Sequence, residues 1–403
     1  MYLFLTALNW LLYAVGLYLL LNCLYLLFFS LVGHLRVSIR KQGAATEQKL
    51  RRMCVLVPAY RENAVILETT KAALQHAYEG EKEVVVIADG LLPQTVVQLR
   101  QLGATVLEVS FARSTKGKSL LYALLKLPPL AYDVAVVLDV DNIMGRNFLT
   151  EVNRAFNAGY HVVQGHRTAK NTDSAFALLD ACNEEINNHI YRKGPSAVGL
   201  SSALIGSGMA FRFPYLKQLL TNIGETVGED KELDFRIARD QQKICYLHHA
   251  YVYDEKVENA QVFTQQRTRW IAAQLEFLKK YAGEGVVQLV RHGNVEFFNK
   301  VVQAFLVPRV LLIGVLGVFF LFSLLLPVGP PVVFWAGLLL LLSAALFLAL
   351  PARLYNRQLF QGLLRLPYAL VCMVLALLRV NRAKTSFLAT PHSVKAFDAR
   401  LEN

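Results

Sequence analysis

Two long stretches of this chain carry no charge, and they constrain everything else it can fold into. Met1–Gly33 and Val310–Ala352 contain no Asp, Glu, Lys or Arg. A helix that crosses a bilayer needs roughly 20 apolar residues. The first stretch therefore predicts one span. The second is broken only at Pro327-Val-Gly-Pro-Pro331 and predicts two, Val310–Leu326 and Val332–Leu350, joined by a tight turn. A cleavable leader fits the N-terminus poorly: there is no basic start, the apolar run is too long, and no small-residue cleavage site follows. With 403 residues, 54% hydrophobic and only 18% charged, the chain has room for a membrane part and one further domain.

Charge beside these stretches predicts orientation. Residues 34–52 hold six basic side chains (Arg36, Arg40, Lys41, Lys49, Arg51, Arg52) against one acid, Glu47. Basic flanks stay in the cytoplasm, so the N-terminus is expected outside and the middle of the chain in the cytosol. Arg309 and Arg353 bracket an out-and-back hairpin. The net charge of +12 does not imply nucleic acid, since residues 353–403 alone supply eight basic and two acidic groups beside the membrane. Anionic membrane lipids are the simpler partner, and no nucleic-acid motif accompanies the charge. The five cysteines (Cys23, Cys54, Cys182, Cys245, Cys372) lack metal or CxxC spacing and read as small packing residues.

The middle section alternates short apolar runs with helical patterns. Strands are expected at Met53–Pro58, Glu83–Ala88, Ala104–Val109, Val134–Leu138 and Val162–Gln164. Helices are expected at Asn63–His76, Thr95–Leu102 and Lys118–Leu125. That order predicts an α/β domain, doubly wound around a mostly parallel sheet covered on both faces. Ligands of such sheets bind at the carboxyl ends of the strands. Polar signals gather there: Tyr60-Arg61-Glu62, Asp89, and the pair Asp139 and Asp141, on which the apolar run VAVVL ends. No GxGxxG or Walker sequence is present.

An Asp-x-Asp turn can hold Mg2+ or Mn2+ together with substrate phosphates, or it can cap its own backbone; the motif alone leaves both readings open. Gly228-Glu-Asp-Lys-Glu-Leu-Asp234 opens a helix. Its acids can serve the helix dipole, or one of them, Asp230 with Glu229 as helper, can act as a general base. In Gln265-Gln-Arg-Thr-Arg-Trp270, helical spacing puts Gln266, Arg269 and Trp270 on one face. A forked cation and a flat ring there suit phosphate and sugar, although both also suit a membrane interface.

These residues together resemble the family 2 glycosyltransferases of GT-A fold. The branch is the membrane-integrated one related to cellulose, chitin, hyaluronan and poly-N-acetylglucosamine synthases. The resemblance rests on Val57-Pro-Ala-Tyr-Arg-Glu62, Ala88-Asp89-Gly90, Lys116-Gly117-Lys118, Asp139-Val-Asp141, Gly206-Ser-Gly-Met209, Gly228-Glu-Asp230 and Gln266-Arg-Thr-Arg-Trp270, in the family's order. The family's Thr-Glu-Asp stands here as Gly-Glu-Asp. The resemblance implies that Tyr60, Glu62 and Asp89 hold the uridine of a UDP-sugar and that Lys116 lies near its phosphates. It implies Asp139 and Asp141 as the diphosphate's metal site, with Asp141 the direct ligand. It further implies that Gly206, Ser207 and Gly208 line the acceptor pocket and that Asp230 is the base for an inverting displacement. Gln266, Arg269 and Trp270 would then bind acceptor and pyrophosphate.

The expected organisation follows: a span at 1–33, a basic linker at 34–52, the GT-A domain at 53–282, interfacial helices at 283–309, a transmembrane hairpin at 310–351, and an interfacial helix (Leu359–Leu378) with a basic tail at 352–403. The expected setting is an integral protein of a bacterial inner membrane with its catalytic domain cytoplasmic. The expected activity is metal-dependent addition of a sugar to a growing β-linked glycan. Transfer of one sugar to a membrane lipid is the alternative. Three spans cannot enclose a polymer channel without a homodimer or an export partner.

Overall fold

In the computed structural model, which describes residues 2–42, 48–224, 226 and 228–379, the middle of the chain builds one eight-stranded sheet. Its strands are β1 (Met53–Tyr60), β2 (Lys82–Asp89), β3 (Thr105–Val109), β4 (Val134–Val137), β5 (Ile143–Met144), β6 (Val162–Ala169), β7 (Met209–Arg212) and β8 (Ile244–Asp254). The order across the sheet is β3-β2-β1-β4-β7-β6-β8-β5. Strands β1 to β4 pair in parallel, as their apolar runs predict. The sheet as a whole is mixed. β7 lies antiparallel between β4 and β6, and β5 runs antiparallel to β8.

Continuous apolar runs are needed because both faces are covered. On one face Val55, Val57, Val84 and Val136 meet Phe148, Leu149 and Val152 of helix Phe148–Asn157. On the other, Cys54, Leu56, Val85 and Val137 meet Leu120 and Leu124 of helix Lys116–Lys126 and Leu216 and Leu220 of helix Phe213–Leu220. Thr115 caps the Lys116–Lys126 helix by accepting from the Lys118 amide. That cap places Lys116 on its first turn, at the carboxyl edge of the sheet.

Among the described residues, two helices are long and apolar enough to cross a membrane, Leu3–Val32 and Val332–Ala349. They pack side by side through Cys23, Leu26, Leu338 and Leu342, and Ser30 Oγ donates to Ala345 O at 2.7 Å. Arg309–Leu325 has 17 residues and reaches spanning length only with Val295–Phe305, from which it is bent by 56°. Arg357–Leu363 and Leu366–Leu378 form a second bent pair, at 49°, over the segment expected as one interfacial helix. Helix Ala260–His292 runs without a break through residue 282, where a change to interfacial helices was expected. Most of the basic tail (residues 380–403) and part of the basic linker (43–47) lie outside the described residues.

Apolar helices and sheet domain are tied closely. Gly194, in the short helix after a π-helical turn (Asn188–Lys193), has no room for a side chain: an added Cβ would lie 2.6 Å from Phe29 O of the first helix. His189 on that turn bonds Ser30 O at 2.8 Å. Beyond the apolar hairpin, Arg353 donates to Glu185 (2.6 Å) and Thr168 (2.9 Å) of the sheet domain.

Candidate active site

The carboxyl ends of the parallel strands open on a cleft. β1 ends on Tyr60 and β2 on Asp89, which face each other in register. The turns that follow are tight. Arg61 takes φ 58° and Gly90 φ 68°, and the Arg61 amide donates to Asp89 O at 2.9 Å. The Asp89 carboxylate accepts from Ser114 Oγ. Tyr60, Asp89, Phe111, Arg113 and Ser114 line a pocket of about 500 Å³. It shares Tyr60, Asp89, Arg113 and Ser114 with a second cavity of about 630 Å³, also lined by Glu62 and Lys116, that runs deeper into the molecule.

The Asp-x-Asp turn sits at the junction. Asn142 N donates to Asp139 O at 3.1 Å, and Asp139 N donates to Ser207 Oγ at 2.8 Å. Asp141 accepts from Asn142 Nδ2 (3.0 Å) on one oxygen and from Glu255 N (2.9 Å) on the other. The turn is thus capped, and its carboxylates still border the cavity. Lys116 Nζ donates to the Asp139 carboxylate and to Gly206 O, the latter at 2.6 Å. Three segments far apart in sequence meet on that one ammonium.

The acidic helix runs over Glu229–Arg239. Gly206, at φ 86°, faces it closely: an added Cβ would lie 3.8 Å from Asp230 Cβ. Glu229 and Asp230 are half-buried beside Lys116. Burial pushes Glu229 up to about 7; Lys116 opposes this and the charge of Asp230 adds to it. Burial works against the Lys116 ammonium too, but Asp139, Glu229 and Asp230 outweigh it and hold its pKa above the ordinary lysine value. Gly228 is the residue that differs from the family's pattern, and the packing gives the reason. A Cβ there would sit 2.9 Å from Phe277 and 3.2 Å from Ala273 of helix Ala260–His292.

That long helix carries Gln266, Arg269 and Trp270 on one face, all lining the larger cavity. Gln266 Oε1 is buried without a hydrogen-bond partner among the described residues, and Trp270 is 40% exposed. Burial lowers the Arg269 guanidinium, with Glu229 opposing. The structure adds Arg267, absent from the sequence reading. It forms a buried ion pair with Asp180 and lies 4.1 Å from the Trp270 ring centroid, so it packs against that ring.

All the expected site residues border this cavity except Ser207 and Gly208. Those two support its wall instead. Ser207 bonds the turn as above and donates to Asn142. Gly208 O accepts from Gly165 N at 2.7 Å, and a Cβ on Gly208 would meet Val252 at 3.0 Å, so this glycine serves strand packing.

Sequence reasoning also missed a buried charge network. Arg167, near the end of β6, pairs with Glu184 at 2.9 Å and lies 3.8 Å from both Asp139 and Asp254. Lys256 pairs with Asp254 at 2.7 Å. Burial opposes the Arg167 charge, yet Glu184, Asp254 and Asp139 hold its pKa well above the usual value. Charged residues closing otherwise apolar strands (His-Arg-Thr after Gly165, Asp-Glu-Lys after Tyr253) were the available signal.

Residues 51–273 match the family model described as glycosyltransferase like family 2, which is more than half of the chain. The chain belongs to glycosyltransferase family 2. The transferase is 29% identical over 228 residues to a beta-monoglucosyldiacylglycerol synthase of Nostoc sp., and 28% identical to one of Trichormus variabilis. Each alignment covers 54% of this chain and 47% of the relative, so the chain matches about half the length of these curated relatives. A mannosyltransferase from Pyrobaculum calidifontis, solved with GDP-Man and Mn2+, superposes with a TM-score of 0.51 at 15% identity. The match covers 86% of this chain and 97% of that one and speaks for the fold alone.

Proposed function

We propose that this transferase sits in a membrane and moves one sugar from a UDP-sugar to a lipid acceptor, with inversion at the sugar carbon. One observation carries the reading. The polar pocket at the strand ends and the apolar surfaces of helices Arg309–Leu325 and Leu366–Arg379 open on a single cavity, which runs from Tyr60 and Asp89 to Val310, Leu366, Ala369 and Met373. A donor diphosphate and an acyl chain could thus be held in one site. The Nostoc and Trichormus relatives, named for a glucosylated diacylglycerol, support the acceptor class.

In this reading Tyr60, Glu62 and Asp89 hold the nucleoside, and Lys116 and Arg269 face the diphosphate. Among the described residues no group of three or more His, Cys, Asp or Glu side chains could hold a metal ion by itself. Asp139 and Asp141 still fit Mg2+ or Mn2+, because such an ion is commonly bound by one or two carboxylates with substrate phosphate and water completing its shell. When bound, it would neutralise charge on the departing diphosphate. Asp230 takes the proton of the acceptor hydroxyl. The hydroxyl oxygen forms its bond to the anomeric carbon as the bond from that carbon to the diphosphate breaks. Gln266, with its unpartnered oxygen, and Trp270 position the acceptor. The sheet domain lies on the cytoplasmic side, beside the basic linker.

The test is product size. Membranes carrying the transferase receive radiolabelled UDP-glucose or UDP-N-acetylglucosamine with Mg2+ or Mn2+, and the label is sized and partitioned into organic solvent. One organic-soluble species supports the reading. A ladder or high-mass product would replace it with glycan extension.

A further inference from the structure

The far end of the cavity is framed by helix Ala175–Asn187, the π-helical turn and the start of helix Arg309–Leu325. Arg309 lines it and is only 9% exposed. Its Nη2 donates to Asn183, at 3.2 Å to the backbone oxygen and also to the side-chain oxygen, and its guanidinium lies 5.8 Å from the Tyr191 ring centroid. Its Nη1 is buried with no hydrogen-bond partner among the described residues.

Among the described residues, the carboxylates that pair at this end are already engaged. Asp180 is taken by Arg267, and Asp254 by Lys256. Glu184 is shared among Arg167 (2.9 Å), Lys256 (3.5 Å) and Arg192 (3.8 Å). Arg192 is also buried, and its Nε lacks a partner. Arg167, Arg192, Lys256 and Arg267 thus share Asp180, Glu184 and Asp254, with Asp139 also 3.8 Å from Arg167, and none of these carboxylates forms an ion pair with Arg309. An unpaired buried cation costs several kcal/mol unless something supplies the counter-charge. Guanidinium forks are well matched to phosphate oxygens.

The chemistry changes one residue further on. Arg309 is the first residue of an otherwise uncharged helix, and Val310, Leu366, Ala369 and Met373 continue the wall. A cationic fork next to an apolar wall suits an anionic headgroup attached to acyl chains. We propose that this end of the cavity binds the phosphate of an anionic lipid, with Arg309 as its principal contact and Arg192 as the second cation. The proposal rests on the lipid-acceptor reading above and names the headgroup charge that reading leaves open.

The full-length transferase, purified in detergent, is tested by native mass spectrometry with dioleoyl-phosphatidylglycerol, with neutral dioleoylglycerol, and with inorganic phosphate. The expected result is that phosphatidylglycerol is retained about tenfold better than dioleoylglycerol, a difference on the order of 1.4 kcal/mol. Arg309→Gln should abolish the preference and Arg309→Lys keep part of it. Equal retention of the two lipids by the wild type overturns the proposal, and this comparison stands even if Arg309→Gln does not fold. Displacement of phosphatidylglycerol only by free phosphate, with no gain from the acyl chains, assigns the subsite to a soluble anion and overturns the lipid part. Labelled transfer is run on the same sample. A polymeric product there counts against the lipid-acceptor function, while the binding preference is still read separately.

Discussion

Replacing Arg267 by Met removes the side chain that links the helix of Trp270 to the sheet domain. Arg267 and Asp180 pair with each side chain only 7% exposed, and the guanidinium also lies over the Phe263 and Trp270 rings at 4.6 and 4.1 Å. The single substitution leaves Asp180 buried and charged without its partner. Breaking such a pair costs about 3–5 kcal/mol, whereas replacing both members by apolar residues is often neutral. Lost cation–π contact adds roughly 1–2 kcal/mol. At about 2–4 °C per kcal/mol for a domain of this size, the single variant, losing about 4–7 kcal/mol in all, should melt roughly 8–28 °C lower. The double variant Asp180→Leu/Arg267→Met should recover most of that loss. The assay is thermal melting of the detergent-solubilised chain in a double-mutant cycle. Additive losses in the double variant would refute the claim that an uncompensated charge causes the damage. In activity assays the double variant should keep kcat within a few-fold while KM for the acceptor rises, because Trp270 loses the guanidinium packed against its ring.

Restoring the family's threonine with Gly228→Thr should destabilise the transferase by about 1–3 kcal/mol, since Phe277 is held in a cluster with Phe235, Tyr281 and Phe297 and cannot yield easily; a melting temperature at or above wild type would contradict this. Glu229 has a folded pKa raised to about 7, so the folded state holds more protons than the unfolded one between the ordinary glutamate value and 7. Its contribution to stability should therefore fall as pH rises through that window and level off above it. Glu229→Gln should remove that slope, as read from denaturation midpoints across pH. Chelation with EDTA should abolish transfer, and Mg2+ or Mn2+ should restore it; full turnover after chelation would refute a metal at Asp139 and Asp141.

The parallel half of the sheet was legible because β1, β2 and β4 are buried on both faces and write that as unbroken apolar runs. The Asp-x-Asp turn and the Gln266–Trp270 face were legible as neighbours of one cavity because their residues sit at fixed spacing on one turn or helix. β6 was readable only as far as Gln164. Beyond it, Arg167 and Thr168 look like the end of a strand, yet their charge and hydroxyl are met by Glu184 and Glu185 of a following helix. β8 was missed for a related reason: its histidines sit beside a register shift, and its polar end is answered by partners distant in sequence. Ser207 and Gly208 were expected in the acceptor pocket because the family resemblance implies it for Gly206-Ser-Gly208. In the structure Ser207 donates to Asn142, and a Cβ on Gly208 would meet Val252, contacts to chain segments distant in sequence that a local run does not reveal.

The central claim is that this cavity transfers sugar with Asp230 as base, and the most direct measurement compares wild type with Asp230→Asn. Both are purified, matched for melting temperature, and supplied with radiolabelled UDP-sugar, Mg2+ or Mn2+ and lipid nanodiscs containing diacylglycerol and phosphatidylglycerol. The account predicts one organic-soluble labelled product from the wild type and a loss on the order of 10²–10⁴-fold in the variant, the usual scale for a positioned general base. Equal turnover by a folded Asp230→Asn variant would contradict it.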